Sequence, residues 1–161
     1  MTKSDNVKKE DILQTFKSSH MTDNMNDHDI NELVELSEER TYSLGKIIIN
    51  EDARTRDLYI VHRGKASVTI SLPSDLGQQE FVYAMRDGQI FGELSLLDGS
   101  PRSATVIAET EVITFRFDYD QLMNLLTEQP RIGFHLMRNL AIIISARMRN
   151  ANMLWRNSMM W

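Results

Sequence analysis

Cysteine is absent from the 161 residues. That excludes disulfides, thiolate metal ligands and cysteine nucleophiles at once. The four histidines, His20, His28, His62 and His135, are scattered without metal-ligand spacing. A histidine-held metal centre is therefore not expected, and His62 reads as a solvent-facing strand residue near a turn. No nucleophile stands beside a base, so an enzyme, for example a phosphodiesterase, is not expected either. There is no apolar run of about eighteen residues and no apolar stretch of a signal peptide in Met1–Glu10, which points to a cytoplasmic protein without a membrane span. A basic excess is missing too: the formal charge is −5, the wrong sign for a nucleic-acid surface.

What is present is enough apolar content, 42%, for one domain with a real core. Its most informative stretch runs from Asp87 to Val106, DGQIFGELSLLDGSPRSATV. Gly92 frees the backbone for a sharp turn or a close approach. Glu93-Leu94-Ser95-Leu96-Leu97 then reads as a short helical turn whose first N–H groups are unpaired, a ready anion site. Gly99, Ser100 and Pro101 end that turn, and Arg102 stands at the mouth of a strand-like run. An arginine there can fold back and give a forked, charge-assisted contact to a phosphate. Glu93 would repel the same phosphate and suits a neutral sugar hydroxyl instead. An acid for a ribose, and an arginine with bare amides for a phosphate, describe a nucleotide ligand.

Phe91-Gly92-Glu93-Leu94-Ser95-Leu96 and Pro101-Arg102-Ser103-Ala104-Thr105-Val106 resemble the phosphate-binding cassette of cyclic nucleotide-binding domains. Such domains occur in protein kinase A regulatory subunits, in cyclic nucleotide-gated channels and in the bacterial catabolite activator protein. The resemblance implies that Arg102 pairs with the cyclic phosphate and that Glu93 holds the ribose 2′-hydroxyl. Backbone N–H groups near Gly92, Leu94 and Ser103 complete the cradle, with Ser103 adding its hydroxyl and Ser95 and Ala104 belonging to the same set. It also favours cyclic AMP over cyclic GMP, because Arg102-Ser103-Ala104 resembles the bacterial cyclic AMP receptors. The hydroxyl of Ser103 after the arginine leaves cyclic GMP open.

Along the chain, residues 1–28 are polar, with a helical turn over Glu10–Phe16 and a linker over Ser19–Asp27. Residues 29–161 form the binding domain. Asp29–Leu36 is a helix with Ile30, Leu33 and Val34 inward. From residue 39 to about 117 the pattern becomes short strands and turns: Arg40–Ser43, Lys46–Asn50, Asp57–His62, Lys65–Leu72, Glu80–Met85, Ser103–Ala108 and Glu111–Phe117, with a hairpin loop at Pro73–Gly77. These predict a mainly β fold, a jelly-roll-like barrel with flanking helices. Residues from about 118 to 157 are helical: a short helix over Tyr119–Thr127, then a long one from Arg131.

Ala66, Val68, Val82 and Ala84 alternate onto one face and suit an apolar slot for a purine, although Val68 and Val82 are equally suited to a plain core. Arg147, on the long helix, matches a base-facing place by resemblance; a solvated arginine with its stem on the barrel is the alternative. The apolar tail around Trp155 and Trp161 suits either a lid over the base or packing on a partner. The greasy side of the long helix is wider than one barrel needs, which favours a homodimer. No helix-turn-helix follows, so the expected role is a stand-alone sensor that binds a cyclic nucleotide and acts on a separate, unidentified effector protein rather than on DNA. The rival is a ligand-independent dimerisation or adaptor module that keeps the fold.

Overall fold

The computed structural model describes residues 3–71 and 79–159; the loop read at Pro73–Gly77, and Trp161, lie outside them. The order of elements is α1 (Lys3–Ser18), a 3-10 turn (His20–Thr22), α2 (Asp27–Leu36), β1 (Glu38–Tyr42), β2 (Ile47–Ile49), β3 (Leu58–Arg63), β4 (Ala66–Ser71), β5 (Gln79–Met85), β6 (Ile90–Phe91), α3 (Glu93–Asp98), β7 (Thr105–Ala108), β8 (Val112–Phe117), α4 (Tyr119–Glu128) and α5 (Pro130–Ser158). The strands form two antiparallel four-stranded sheets, β1-β8-β3-β6 and β2-β7-β4-β5.

Strand β3 shows how the layers stack. Its residues alternate between two cores, as a strand's period of two requires. Tyr59 and Val61 join Val68, Met85, Val106 and Ala108 between the sheets. Leu58 and Ile60 turn the other way, onto Phe16, Leu33, Leu122, Leu136 and Leu140 of the helices. The order is thus helices, first sheet, second sheet, with β3 buried on both faces. Residues of α5 and of the second sheet together line the cavity described below.

Local signals explain the helix ends. The Asn26 side chain accepts from the Asp29 N–H at 2.9 Å, and Asp118 accepts from the N–H groups of Asp120 and Gln121, the usual pairing of a capping side chain with an unpaired helix donor. Pro130 opens α5 where its missing N–H costs nothing.

Three expectations are corrected. The stretch Ser19–Asp27, read as a linker, holds a packed 3-10 turn whose Met21 is fully buried; Asn139 of α5 donates to the carbonyls of Met21 (3.0 Å) and Asp23 (2.8 Å). Ile90–Phe91 is an additional strand. His62, read as facing solvent, is 8% exposed. By the strand's period of two it follows Leu58 and Ile60 onto the helix side of β3, toward α1. There its Nδ1 meets the Thr15 hydroxyl at 2.7 Å, and its ring lies 5.2 Å from that of Phe115.

Burial holds His62 below the ordinary histidine range, with Asp11 opposing and Arg63 assisting. The folded state therefore prefers the neutral ring. Its stabilising contribution is complete above about pH 6.5, the ordinary value, and is lost as pH falls from there toward the depressed folded value. Melting temperature measured against pH is expected to fall below about pH 6.5, and His62→Gln is expected to flatten that limb.

Candidate functional site

The site is assembled around α3. After β6 the chain turns at Gly92, φ +86°, and the six-residue helix ends at Gly99, φ +72°. Both lie in the left-handed region, which costs other residues about 1–2 kcal/mol. Space makes Gly92 doubly constrained: a Cβ there would sit 2.6 Å from the Asp57 carbonyl and 2.7 Å from Arg102 Nη1. The first N–H groups of α3 have no acceptor within the helix and lie along the cavity wall with Gly92, Glu93, Leu94 and Ser95.

Arg102 is 3% exposed. Its Nε donates to Thr55 Oγ1 (2.9 Å), Nη1 to the Gly92 carbonyl (2.9 Å) and Nη2 to the Asp57 carbonyl (2.8 Å). Its backbone is tied to the same loop, N–H to the Ala53 carbonyl and carbonyl to the Asp52 N–H, each 2.9 Å. Every acceptor is neutral. No carboxylate among the described residues pairs with this guanidinium. Burial pushes it below the ordinary arginine range, with Tyr59, Asp57 and Glu93 opposing. A buried cation without a counterion is costly, and three of its five N–H donors are used. Arg102 also forms part of the cavity wall.

The cavity beside it measures about 720 Å3. Gly92, Glu93, Leu94, Ser95, Arg102, Ser103, Ala104, Val68, Val82 and Arg147, the residues expected from the sequence, all line it. Their arrangement differs from the expected alternation at one point. The register between β4 and β5 shifts between Val68 and Thr69, so Tyr83 lies opposite Val68, Ala84 opposite Ser67, and Val82 opposite neither. Val68 is buried, while Val82 is 43% exposed at the rim. The sequence reading missed Tyr83, and it missed Ile144, Asn150 and Leu154, which α5 brings to the opening.

Glu93 is 6% exposed, and its Oε1 accepts from Arg147 Nη1 at 2.5 Å. Arg147 Nη2 donates to the Ile90 carbonyl, also at 2.5 Å, and its guanidinium lies 5.5 Å from the centre of the Tyr83 ring. Arg147 is thus held inside the cavity wall, not solvated as its alternative reading had it. Burial raises the Tyr83 phenol, against the pull of Arg147. The geometry is polar and anion-seeking at the Arg102 end, apolar along Val68, Ile70 and Ala84, and bridged at the α5 side by one ion pair. Among the described residues, no group of three or more His, Cys, Asp or Glu side chains is placed to hold a metal.

Two antiparallel sheets carrying a short helix, a buried arginine and a cavity between them define a module for a small anionic ligand with an apolar part. Residues 39–129 match the cyclic nucleotide-binding domain family, and the chain belongs to that family. It is 35% identical over 118 residues to the cyclic AMP receptor protein of Thermus thermophilus, covering 71% of this chain and 50% of that one. It is 38% identical over 69 residues to the cAMP-dependent protein kinase regulatory subunit of Mycosarcoma maydis, covering 43% and 13%. A cyclic nucleotide-binding domain from Methylobacillus flagellatus shares the fold, with a TM-score of 0.77 at 23% identity over 88% of this chain and 78% of that one. The chain spans half or less of the length of these two curated relatives.

Gly92→Ala is expected to displace Arg102 and to cost at least about 1–2 kcal/mol from the left-handed backbone alone. Chemical denaturation measures the loss. Gly45→Ala is the control for backbone strain, since that glycine is also left-handed, φ +79°, but has nothing within 4 Å of its Cβ position.

Proposed function

We propose that this chain binds a cyclic nucleotide, cyclic AMP in preference to cyclic GMP, and acts as a regulatory module on a separate protein. One observation carries the reading: the Arg102 guanidinium is buried, unneutralised and in the wall of the same cavity as the start of α3. A cyclic phosphate supplies the missing charge and accepts from both. Glu93 takes the ribose 2′-hydroxyl, Leu94 and Ser95 give backbone donors, and Ser103 adds its hydroxyl beside Ala104. Val68 and Val82 border the base, and Arg147, already on Glu93, lies where a purine edge comes within reach. The preference for cyclic AMP rests on the Arg102-Ser103-Ala104 pattern and on the named ligand of the Thermus relative.

The cyclic AMP receptor protein and the kinase regulatory subunit among its relatives are regulators by name, which supports the sensor reading. The formal charge of −5 favours a protein partner over nucleic acid. Self-association through α5 is part of this reading. Phe134, Met148, Trp155 and Met159 are each 64–66% exposed and stand 14, 7 and 4 residues apart, a spacing that keeps them on one side of the helix. A second reading, a ligand-independent adaptor, draws on the Glu93–Arg147 ion pair, which satisfies the acid without any ligand.

Calorimetric titration with cyclic AMP and cyclic GMP separates the two. Saturable binding is expected, tighter for cyclic AMP. Arg102→Leu is expected to weaken it by at least about a hundredfold, and Glu93→Gln by about tenfold. Absence of binding to either nucleotide favours the adaptor. Sedimentation equilibrium tests the association: a dimer is expected for the wild-type chain and a monomer for Met148→Glu with Trp155→Glu.

A further inference from the structure

Three consecutive residues of the segment between β2 and β3 address both ends of the site. Thr55 and Asp57 hold Arg102 from behind, while Arg56 points to α3. Its Nε donates to the Ser95 carbonyl at 3.1 Å and its Nη2 to the Leu96 carbonyl at 2.9 Å. Its guanidinium lies 3.8 Å from the centre of the Tyr119 ring, and on another side it fits against Gly99, where a Cβ would come within 3.6 Å of its Cζ. Tyr119 is the first residue of α4, and the Asp57 carboxylate accepts from its N–H at 3.1 Å while also holding Arg116 at 2.9 Å.

We infer that Arg56 is a positioning residue that fixes α3 to the start of α4, so that the amides and arginine of the phosphate end move with the helices that carry α5. The inference rests on the nucleotide-binding reading of the site. A helix of six residues does not hold itself, and its last carbonyls need partners from outside. The Gly99 N–H serves the Ser95 carbonyl, and Arg56 adds to it and serves that of Leu96, with a cation placed at the negative end of the helix. The same planar group stacks on Tyr119, a contact that a flexible ammonium does not reproduce. From Tyr119, α4 leads through Gln129 into α5, whose Ile144 and Arg147 return to the cavity. The contacts are contiguous from the phosphate end to the opening.

The test compares wild-type chain with Arg56→Met, Arg56→Lys, Tyr119→Leu and the Arg56→Met/Tyr119→Leu pair, read by cyclic AMP affinity and by amide hydrogen exchange. Arg56→Met is expected to raise Kd about tenfold, with Arg56→Lys giving no rescue. Tyr119→Leu is expected to raise it about threefold, and the pair no further than Arg56→Met, because both variants remove one shared contact. Saturating cyclic AMP is expected to slow exchange at both Leu94–Asp98 and Tyr119–Leu122 in the wild type, and only at the former in Arg56→Met. A wild-type Kd in Arg56→Met, strictly additive effects, or undiminished slowing at Tyr119–Leu122 overturns the inference. If the wild type takes up no nucleotide, the binding reading fails on its own. Exchange in the ligand-free proteins then decides: about tenfold faster exchange across α3 in Arg56→Met supports the fixing role, and unchanged exchange removes it. Should Arg56→Met not fold, Tyr119→Leu alone gives the same reading at α3.

Discussion

The charge on Arg102 is the constraint from which most of this site follows. A guanidinium withdrawn from water and facing only neutral oxygens is expensive, by several kcal/mol for an ion left unpaired. The fold lowers that cost with three hydrogen bonds of good length, two of them to backbone carbonyls. Backbone acceptors cannot be removed by a side-chain change, but they must be brought in close. Gly92 is what allows this, since any Cβ at that position would enter the space of the guanidinium. The left-handed turn, the short helix and the arginine are one device with a single electrostatic purpose: a cation kept dry, oriented and short of a counterion. Such a group binds an anion strongly because the cost of ordering and drying it has been met during folding.

The other polar feature, Glu93 with Arg147, has the opposite character. Here both charges are satisfied within the chain, so a ligand gains only the difference between its own contact and the one already made. The ion pair spans 54 positions of sequence and joins α3 to α5 across the cavity. A ribose hydroxyl that donates to the second oxygen of Glu93 leaves the pair intact and adds to it; one that takes the first oxygen releases the helix. The two outcomes differ in where α5 lies, and a ligand can shift that position only by its unequal affinity for the two arrangements. On the proposed nucleotide reading, the phosphate falls to Arg102, while the tie between α3 and α5 belongs to Arg147.

How much of this is readable without coordinates depends on the range of the interaction. The cassette from Gly92 to Ala104 is local: turn, helix start and arginine are fixed by neighbours in sequence, and all the residues named from it line one cavity. The two-sheet fold is legible for a related reason, since alternating apolar residues and turn residues recur along β1 to β8. The failures have two physical causes. A bulge at Val68/Thr69 inserts a residue and reverses the alternation beyond it, which puts Tyr83 where Val82 was expected. No glycine marks the bulge, so no residue announces it. His62 is in phase with Leu58 and Ile60, and its burial comes from α1 covering that face at Thr15, a contact between distant segments. Contacts between distant segments are equally silent: the Asn139 bonds that fasten Ser19–Asp27 to α5 join positions more than a hundred apart.

The two halves of α5 follow from where the first sheet stops giving cover. Ile132, Leu136, Asn139 and Leu140 are buried, and these residues seat the helix on the core of Phe16, Leu33 and Leu122. Beyond Arg147 every described residue of the helix is exposed, including the large apolar side chains of Met148, Leu154 and Trp155. Propensity alone gives such a segment little stability, because helices in proteins are held mainly by packing. Among the described residues, Arg147 makes the last side-chain hydrogen bonds from α5 to another element; the stretch beyond it is exposed, with Asn150 and Leu154 at the cavity opening. Whatever covers Met148 and Trp155 acts on the same helix that carries the partner of Glu93, within two turns of it. Should a ligand in the cavity and a partner on this surface each favour one placement of α5, linkage makes the effect reciprocal: the partner then changes ligand affinity by the same factor as the ligand changes the partner's.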